Sequence, residues 1–111
     1  MTNRIPRINE LIKEELGKII LTEVEFPKEN LTTITRVETT SNLIETFVYV
    51  STIGRDREQI FNLLQKNIYR IQQKLNKKLN IRPLPKIIFR KEKETERAEK
   101  IENLLEKIKK K

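Results

Sequence analysis

The chain has 111 residues, of which 36% are apolar and 36% are charged, and its formal net charge is +8. A chain of this length suits one domain with a thin core, so we expect a single domain over residues 1–111. The absence of histidine and cysteine excludes disulfide bonds and every Ser-His or Cys-His nucleophile pair, and it removes the usual ligands of transition metals.

The first predicted element is an amphipathic helix over residues 4–21. Its apolar residues recur at helical spacing and are Ile5, Ile8, Leu11, Ile12, Leu16, Ile19 and Ile20. Pro6 falls in the first turn, where proline is tolerated, and Pro27 falls in the loop that follows. The absence of cysteine fits a reducing compartment, so we expect a cytoplasmic protein. No segment reaches the roughly 20 apolar residues of a membrane span, so we expect no membrane partner.

Residues 31–52 have the composition of a β-hairpin. They are rich in Thr, Val, Ile, Phe and Tyr, and Ser41-Asn42 divides them at a predicted tight turn. Alternation along the second strand places Ile44, Thr46, Val48 and Val50 on one face, which we expect to carry the helices. Phe47 and Tyr49 then lie on the open face of the sheet, where they serve either cross-strand packing or binding.

A long helix is predicted from Arg57 to about Asn80. Asp56 and Gln59 have the spacing of a capping box at its start. One continuous apolar stripe follows, formed by Ile60, Leu64, Ile68, Ile71, Leu75 and Leu79. A straight helix of this length would measure about 36 Å, roughly twice an ordinary strand, so we expect a bend or a break.

Two further elements complete the predicted fold. Residues 86–91, which follow two prolines, read as an edge strand with Ile87 and Phe89 on one face. Residues 94–111 read as a C-terminal helix with a basic tail. The order helix, strand, strand, long or divided helix, strand, helix indicates an α+β domain with a three-stranded sheet covered on one face.

The positive charge is concentrated in the middle of the chain. Residues 55–93 hold twelve lysines or arginines against three carboxylates, whereas the flanking segments are close to balanced. Helical projection places five cations opposite or beside the apolar stripe, and three more follow in the chain. The resulting candidate RNA-binding residues are Lys66, Arg70, Lys74, Lys77, Lys78, Arg82, Lys86 and Arg90. Such a surface attracts polyanions by counterion release, and the alternative is a charged surface that serves solubility.

The sequence offers little for catalysis. Its two glycines, Gly17 and Gly54, belong to no phosphate-binding loop or dinucleotide fingerprint. Most carboxylates fall on polar helix faces or in loops, where solvated surface is the ordinary role. We therefore expect no enzymatic activity, no metal, no cofactor and no small-molecule substrate.

The chain resembles the ribosome-binding factor A family over nearly all of its length, and four segments that follow one another in the family's order carry the resemblance. In "RIPRINELIKEELGKII" the family spacing is matched by Arg4, Arg7, Ile8, Ile12, Glu15 and Ile19. "LTTITRVETTSNLIETFVYVS" matches the family's strand, turn and strand in register. "LPKIIF" and "ERAEKIENLLEKI" are similar to its last strand and closing segment.

The resemblance implies a KH-like domain of type II topology. It further implies a ribosome assembly factor that binds the small (30S) subunit and its 16S rRNA near the decoding region. Nothing in the sequence demands more than a monomer, so we expect one. The family assists late maturation of the 16S rRNA end, supports growth in the cold, and has neither enzymatic activity nor a cofactor. Its Ala-x-Gly kink falls here on Asn67-Ile68-Tyr69, without glycine, so a kink would have to come from Asn67 or from packing.

Two alternatives remain beside the assembly-factor hypothesis. The basic residues alone would also suit a general polyanion binder or a regulatory DNA-binding protein, although the predicted order lacks an evident recognition helix pair. The aromatic pair Phe47 and Tyr49 would suit a protein adaptor that uses the open face of the sheet.

Overall fold

The computed structural model describes residues 4–92, and within them the α+β prediction is confirmed. The elements follow one another in the order expected of a KH-like domain of type II topology. They are α1 (Arg4–Glu23), β1 (Leu31–Thr39), β2 (Glu45–Ile53), α2 (Arg57–Lys66), α3 (Ile68–Lys78) and β3 (Lys86–Lys91). The helix predicted within residues 94–111 lies outside the described residues.

The three strands form one mixed sheet in the order β1-β2-β3. β1 and β2 are antiparallel with Val37 opposite Val48, and β2 and β3 are parallel with Val48 opposite Phe89. A bulge interrupts the β1–β2 register between Ile34 and Arg36. β3 therefore occupies an edge of the sheet, as its flanking prolines predicted.

The helices cover one face of the sheet and enclose one apolar core. The side chains of Ile12 and Leu16 on α1 and of Ile71 and Leu75 on α3 have no exposed surface. They pack with Val48 and the other buried strand residues of the same cluster. Full burial of an aliphatic side chain contributes about 1.5–3 kcal/mol, so this cluster is the main stabilising feature of the described residues.

The hairpin has the predicted turn, but its second strand starts later than predicted. The connection between β1 and β2 comprises residues 40–44, and Ser41 and Asn42 are the central residues of a tight turn, because the Leu43 amide donates a hydrogen bond to the Thr40 carbonyl oxygen at 2.9 Å. The Asn42 side-chain oxygen accepts a hydrogen bond from the Ile44 amide at 3.1 Å, and Leu43 has a φ of 61°. Ile44 precedes β2 and is 62% exposed, because strand alternation begins only at Glu45. Its predicted place on the helix-covered face is therefore wrong.

The start of α2 also differs from its prediction. Asp56 is the N-cap residue, but its side chain makes no capping hydrogen bond. Its carboxylate instead accepts a hydrogen bond from the Asn30 amide nitrogen at 3.0 Å. The Asp56 backbone N–H in turn donates to the Asn30 side-chain oxygen at 3.2 Å. The predicted capping box is thus wrong, because the carboxylate joins the loop before β1 to the start of α2.

The long helix is divided at Asn67, as its length predicted. The backbone there has φ −99° and ψ 7°, a conformation between the helical and extended regions. The Asn67 side-chain nitrogen and backbone N–H both donate to the Leu63 carbonyl oxygen, at 2.8 and 3.1 Å. A side chain that bonds back to its own helix thus marks the break at a position without glycine.

Candidate nucleic-acid interface

Five cations on α2 and α3 project away from the core. We call this set the helical basic surface, and it consists of Lys66, Arg70, Lys74, Lys77 and Lys78. All five are exposed, whereas Ile71 and Leu75 on the opposite side of α3 are fully buried. The spacing of four and three residues from Arg70 to Lys77 explains their common face, because such residues are neighbours on a helix.

Almost nothing neutralises the helical basic surface. The sequence has no aspartate or glutamate between Glu58 and Glu92. Among residues 4–92, the one ion pair of this surface joins the Lys74 ammonium group to the Glu23 carboxylate at 3.4 Å. Lys66, Arg70, Lys77 and Lys78 therefore present their charge to solvent. In the last turn of α3, Lys77 and Lys78 also complement the negative end of the helix dipole.

Gln72 fixes α3 against the edge strand. Its side-chain oxygen accepts a hydrogen bond from the Ile87 amide at 2.8 Å, and its nitrogen donates to the Pro85 carbonyl oxygen at 3.3 Å. Buried Ile71 and Leu75 hold the same helix on the core. These contacts hold α3 in place through side chains that point away from its cations. The cations of α3 therefore stay exposed on a helix whose position is fixed.

Arg82 lies at the end of the helical basic surface, beside the first turns of α1. It lines a cavity of about 400 Å³ together with Arg4 and Arg7. Arg4 and Arg7 were not among the predicted RNA-binding residues, because their charge is balanced within their own segment of sequence. Only the packing of α1 against α3 shows that they join a third arginine.

Lys86 and Arg90 lie on the other face of the sheet. Alternation along β3 directs both away from the buried side chains of Ile87 and Phe89. The Arg90 guanidinium group stacks 4.3 Å from the centroid of the Phe47 ring. These two cations therefore do not extend the helical basic surface, and any contact that they make with RNA is separate from it.

The open face carries a second stacked pair. The Arg36 guanidinium group lies 3.9 Å from the centroid of the Tyr49 ring and forms ion pairs with Glu38 and with Glu92. The hydrogen bond that the Arg36 guanidinium group donates to the Glu92 carboxylate is the main cause of the raised pKa of Arg36. Both open-face aromatic rings are thus half-buried beneath guanidinium groups, so neither offers a bare apolar surface to a partner.

The described residues offer no other recognisable site chemistry. Within residues 4–92, no group of three or more acidic side chains could hold a metal ion. In the same range, no helix is both long and apolar enough to cross a membrane. The strongest chemical feature of this part of the chain is therefore its exposed positive charge.

Known proteins match this chain over nearly all of its length. The chain is 35% identical over 109 residues to the ribosome-binding factor A of Pelagibacter ubique, covering 95% of this chain and 89% of the relative. The crystal structure of ribosome-binding factor A from Thermus thermophilus has a TM-score of 0.68 at 23% identity, over 78% of this chain and 93% of that one.

A third match is a Thermus thermophilus ribosome-binding factor A homology model fitted into the cryo-EM map of a 30S complex. Its TM-score is 0.57 at 22% identity, over 72% of this chain and 90% of that chain. The family model described as "Ribosome-binding factor A" matches residues 4–105. This chain therefore belongs to the ribosome-binding factor A family.

Proposed function

We propose that this protein binds the small (30S) ribosomal subunit by placing the helical basic surface on 16S rRNA, and that it assists late maturation of that rRNA. The observation that carries the proposal is the exposure of Lys66, Arg70, Lys77 and Lys78 without a carboxylate partner among residues 4–92. In this proposal the protein acts as a monomer. Membership of a family that binds the ribosome also confirms that the protein is not an enzyme.

A protein of the same fold supports the choice of partner. The similar Thermus thermophilus factor was fitted into the map of a complex with the 30S subunit. The physical match lies in the charge, because lysine and arginine side chains hold a phosphate backbone in position and displace its counterions. Affinity from this surface should therefore depend on folded RNA shape more than on base sequence.

The first test measures co-sedimentation with purified 30S subunits over a salt series at constant magnesium concentration. The variant R70E/K77E reverses two exposed charges on α3, neither of which has an ion-pair partner among the described residues. We expect its affinity to fall by at least tenfold (about 1.4 kcal/mol), because repulsion replaces two phosphate contacts. The unchanged protein should bind 30S subunits more tightly than 50S subunits or duplex DNA.

The matched control is K13E/K28E, which makes the same change in net charge elsewhere. Lys13 lies on the side of α1 that borders β1. Lys28 lies in the loop between α1 and β1, so neither lysine belongs to α2 or α3. This control should bind 30S subunits like the unchanged protein. Equal binding of the unchanged protein to 30S, 50S and DNA would refute the assembly-factor proposal, and undiminished binding of R70E/K77E would shift the contact to another surface.

A further inference from the structure

The cavity beside Arg82 brings cations from two distant parts of the chain to one place. Arg4 and Arg7 come from the first turns of α1, and Arg82 comes from the segment between α3 and β3. The remaining lining is Ile8, Leu11, Asn80 and Ile81, so no carboxylate lines the cavity. Its volume of about 400 Å³ falls within the range of ligand pockets, which is roughly 300–1,000 Å³.

The core does not require the three arginines. All three side chains are exposed, and none forms an ion pair with a carboxylate among residues 4–92. Beneath them, Ile8 is buried and Ile81 is half-buried, so the cavity has an apolar floor. A floor of this kind lowers the local dielectric constant and strengthens the attraction of an anion to the guanidinium groups above it.

We propose that this cavity binds a phosphodiester group of the RNA backbone, an inference that rests on the proposed function and adds a second contact to it. Guanidinium groups present planar pairs of N–H donors that match two phosphate oxygens, and three of them converging on one cavity suit a backbone phosphate. The apolar floor would contact the sugar beside it. Arg82 lies in the connection that follows α3, four residues after Lys78, so the site is close along the chain to the last cations of the helical basic surface.

The test is 30S co-sedimentation of the double variant R7Q/R82Q, which removes one arginine from each side of the cavity. We expect its affinity to fall at least tenfold at physiological salt, with a slope of log affinity against log salt that is smaller by about 2. Its thermal melting should match that of the unchanged protein, since both side chains are exposed.

Two further variants distinguish specific recognition at this cavity from a general effect of net charge. K13Q/K28Q removes two lysines away from the cavity and should leave binding unchanged. R7K/R82K keeps both charges but lacks the guanidinium fork, so it should recover the salt slope and only part of the affinity. Full recovery in R7K/R82K would contradict bidentate recognition at this cavity.

The outcomes also separate this inference from the proposed function. If the unchanged protein binds 30S subunits and R7Q/R82Q binds as tightly as K13Q/K28Q, the cavity is not a phosphate site and the helical basic surface remains the contact. If the unchanged protein does not bind 30S subunits in preference to duplex DNA, the proposed function itself is refuted.

Discussion

Gly54 follows β2 with a φ of 139°, a backbone conformation that side chains rarely adopt. A Cβ atom at this position would lie 1.9 Å from the Asn30 side-chain oxygen and 3.1 Å from the Asn30 Cα atom. Asn30 cannot easily move away, because its amide nitrogen donates to Pro27, Lys28 and Asp56. One small residue thus permits the contact between the loop before β1 and the start of α2.

The substitution Gly54→Ala should destabilise the protein by about 1–3 kcal/mol, because it adds backbone strain and breaks the Asn30 contacts. Urea unfolding followed by circular dichroism measures the change. Gly17→Ala is the matched control, since a Cβ atom there meets nothing within 4 Å and Gly17 lies inside α1. That control should stabilise the protein by up to about 1 kcal/mol. Equal stability of the two variants would contradict the role assigned to Gly54.

At the scale of elements, α3 depends on its attachment to β3. The Ile87 amide donates to the Gln72 side chain and has no strand beyond it, since β3 is at the edge of the sheet. Ile87 itself is 1% exposed, so this amide has little access to water. Gln72 therefore both satisfies a buried donor and sets the position of the helix that carries Arg70 and Lys77.

The substitution Gln72→Leu should cost about 1–3 kcal/mol of stability, because it leaves the Ile87 N–H without its acceptor. The Ile87 amide should also exchange its hydrogen faster, which NMR can measure. Gln73→Leu is the matched control on the adjacent, exposed position and should change stability by at most about 0.5 kcal/mol. A loss in Gln73→Leu as large as that in Gln72→Leu would exclude a specific role for the bond.

The elements were predictable where periodicity decides them. Helical spacing in α1 and two-residue alternation in β3 identify the buried faces. The structure buries Ile87 and Phe89 of β3 and five of the seven apolar residues predicted for α1, whereas Ile5 is half-buried and Leu11 is exposed. The break at Asn67 could be expected but not located by this pattern, because the apolar stripe continues through Ile68 without a change of phase. The start of α2 was missed because side-chain hydrogen bonds between Asn30 and Asp56 decide it.

At the scale of the whole molecule, the position of charge matters more than its total. R70E/K77E and K13E/K28E both replace two cations by two carboxylates, so their net charges are identical. Binding to rRNA should follow the local field of the helical basic surface, because exposed charges more than about 10 Å away are screened at 0.1 M salt. The two variants should therefore differ in their affinity for rRNA, although their net charges are the same.

We expect this difference to appear in cells that lack the native copy of this protein. Such cells should accumulate 30S particles with unprocessed 16S rRNA, and primer extension across the rRNA end measures the fraction. The unchanged protein and K13E/K28E should restore processing, whereas R70E/K77E should not. Restoration by R70E/K77E at equal expression would exclude the helical basic surface from rRNA maturation.

The candidate site was only partly predictable from the sequence, because some of its residues come together only when separate elements pack. Local spacing groups Arg70, Lys74 and Lys77 correctly, since they share one helix. Strand alternation could also have shown that Arg90 lies across the sheet from them, because its neighbour Phe89 faces the core. The association of Arg7 with Arg82 depends on how α1 packs against α3, and no local pattern in the sequence encodes it.

The ion pair between Glu23 and Lys74 has a consequence for how the proposed complex dissociates. Glu23 is only 16% exposed, so a phosphate group that takes over Lys74 leaves this carboxylate without its cation in a poorly hydrated position. The exchange gains less free energy than capture of a solvated lysine, because one favourable pairing is lost for each one made. In the proposed complex, Glu23 would therefore compete with phosphate for Lys74, which should shorten the residence time of the protein on RNA.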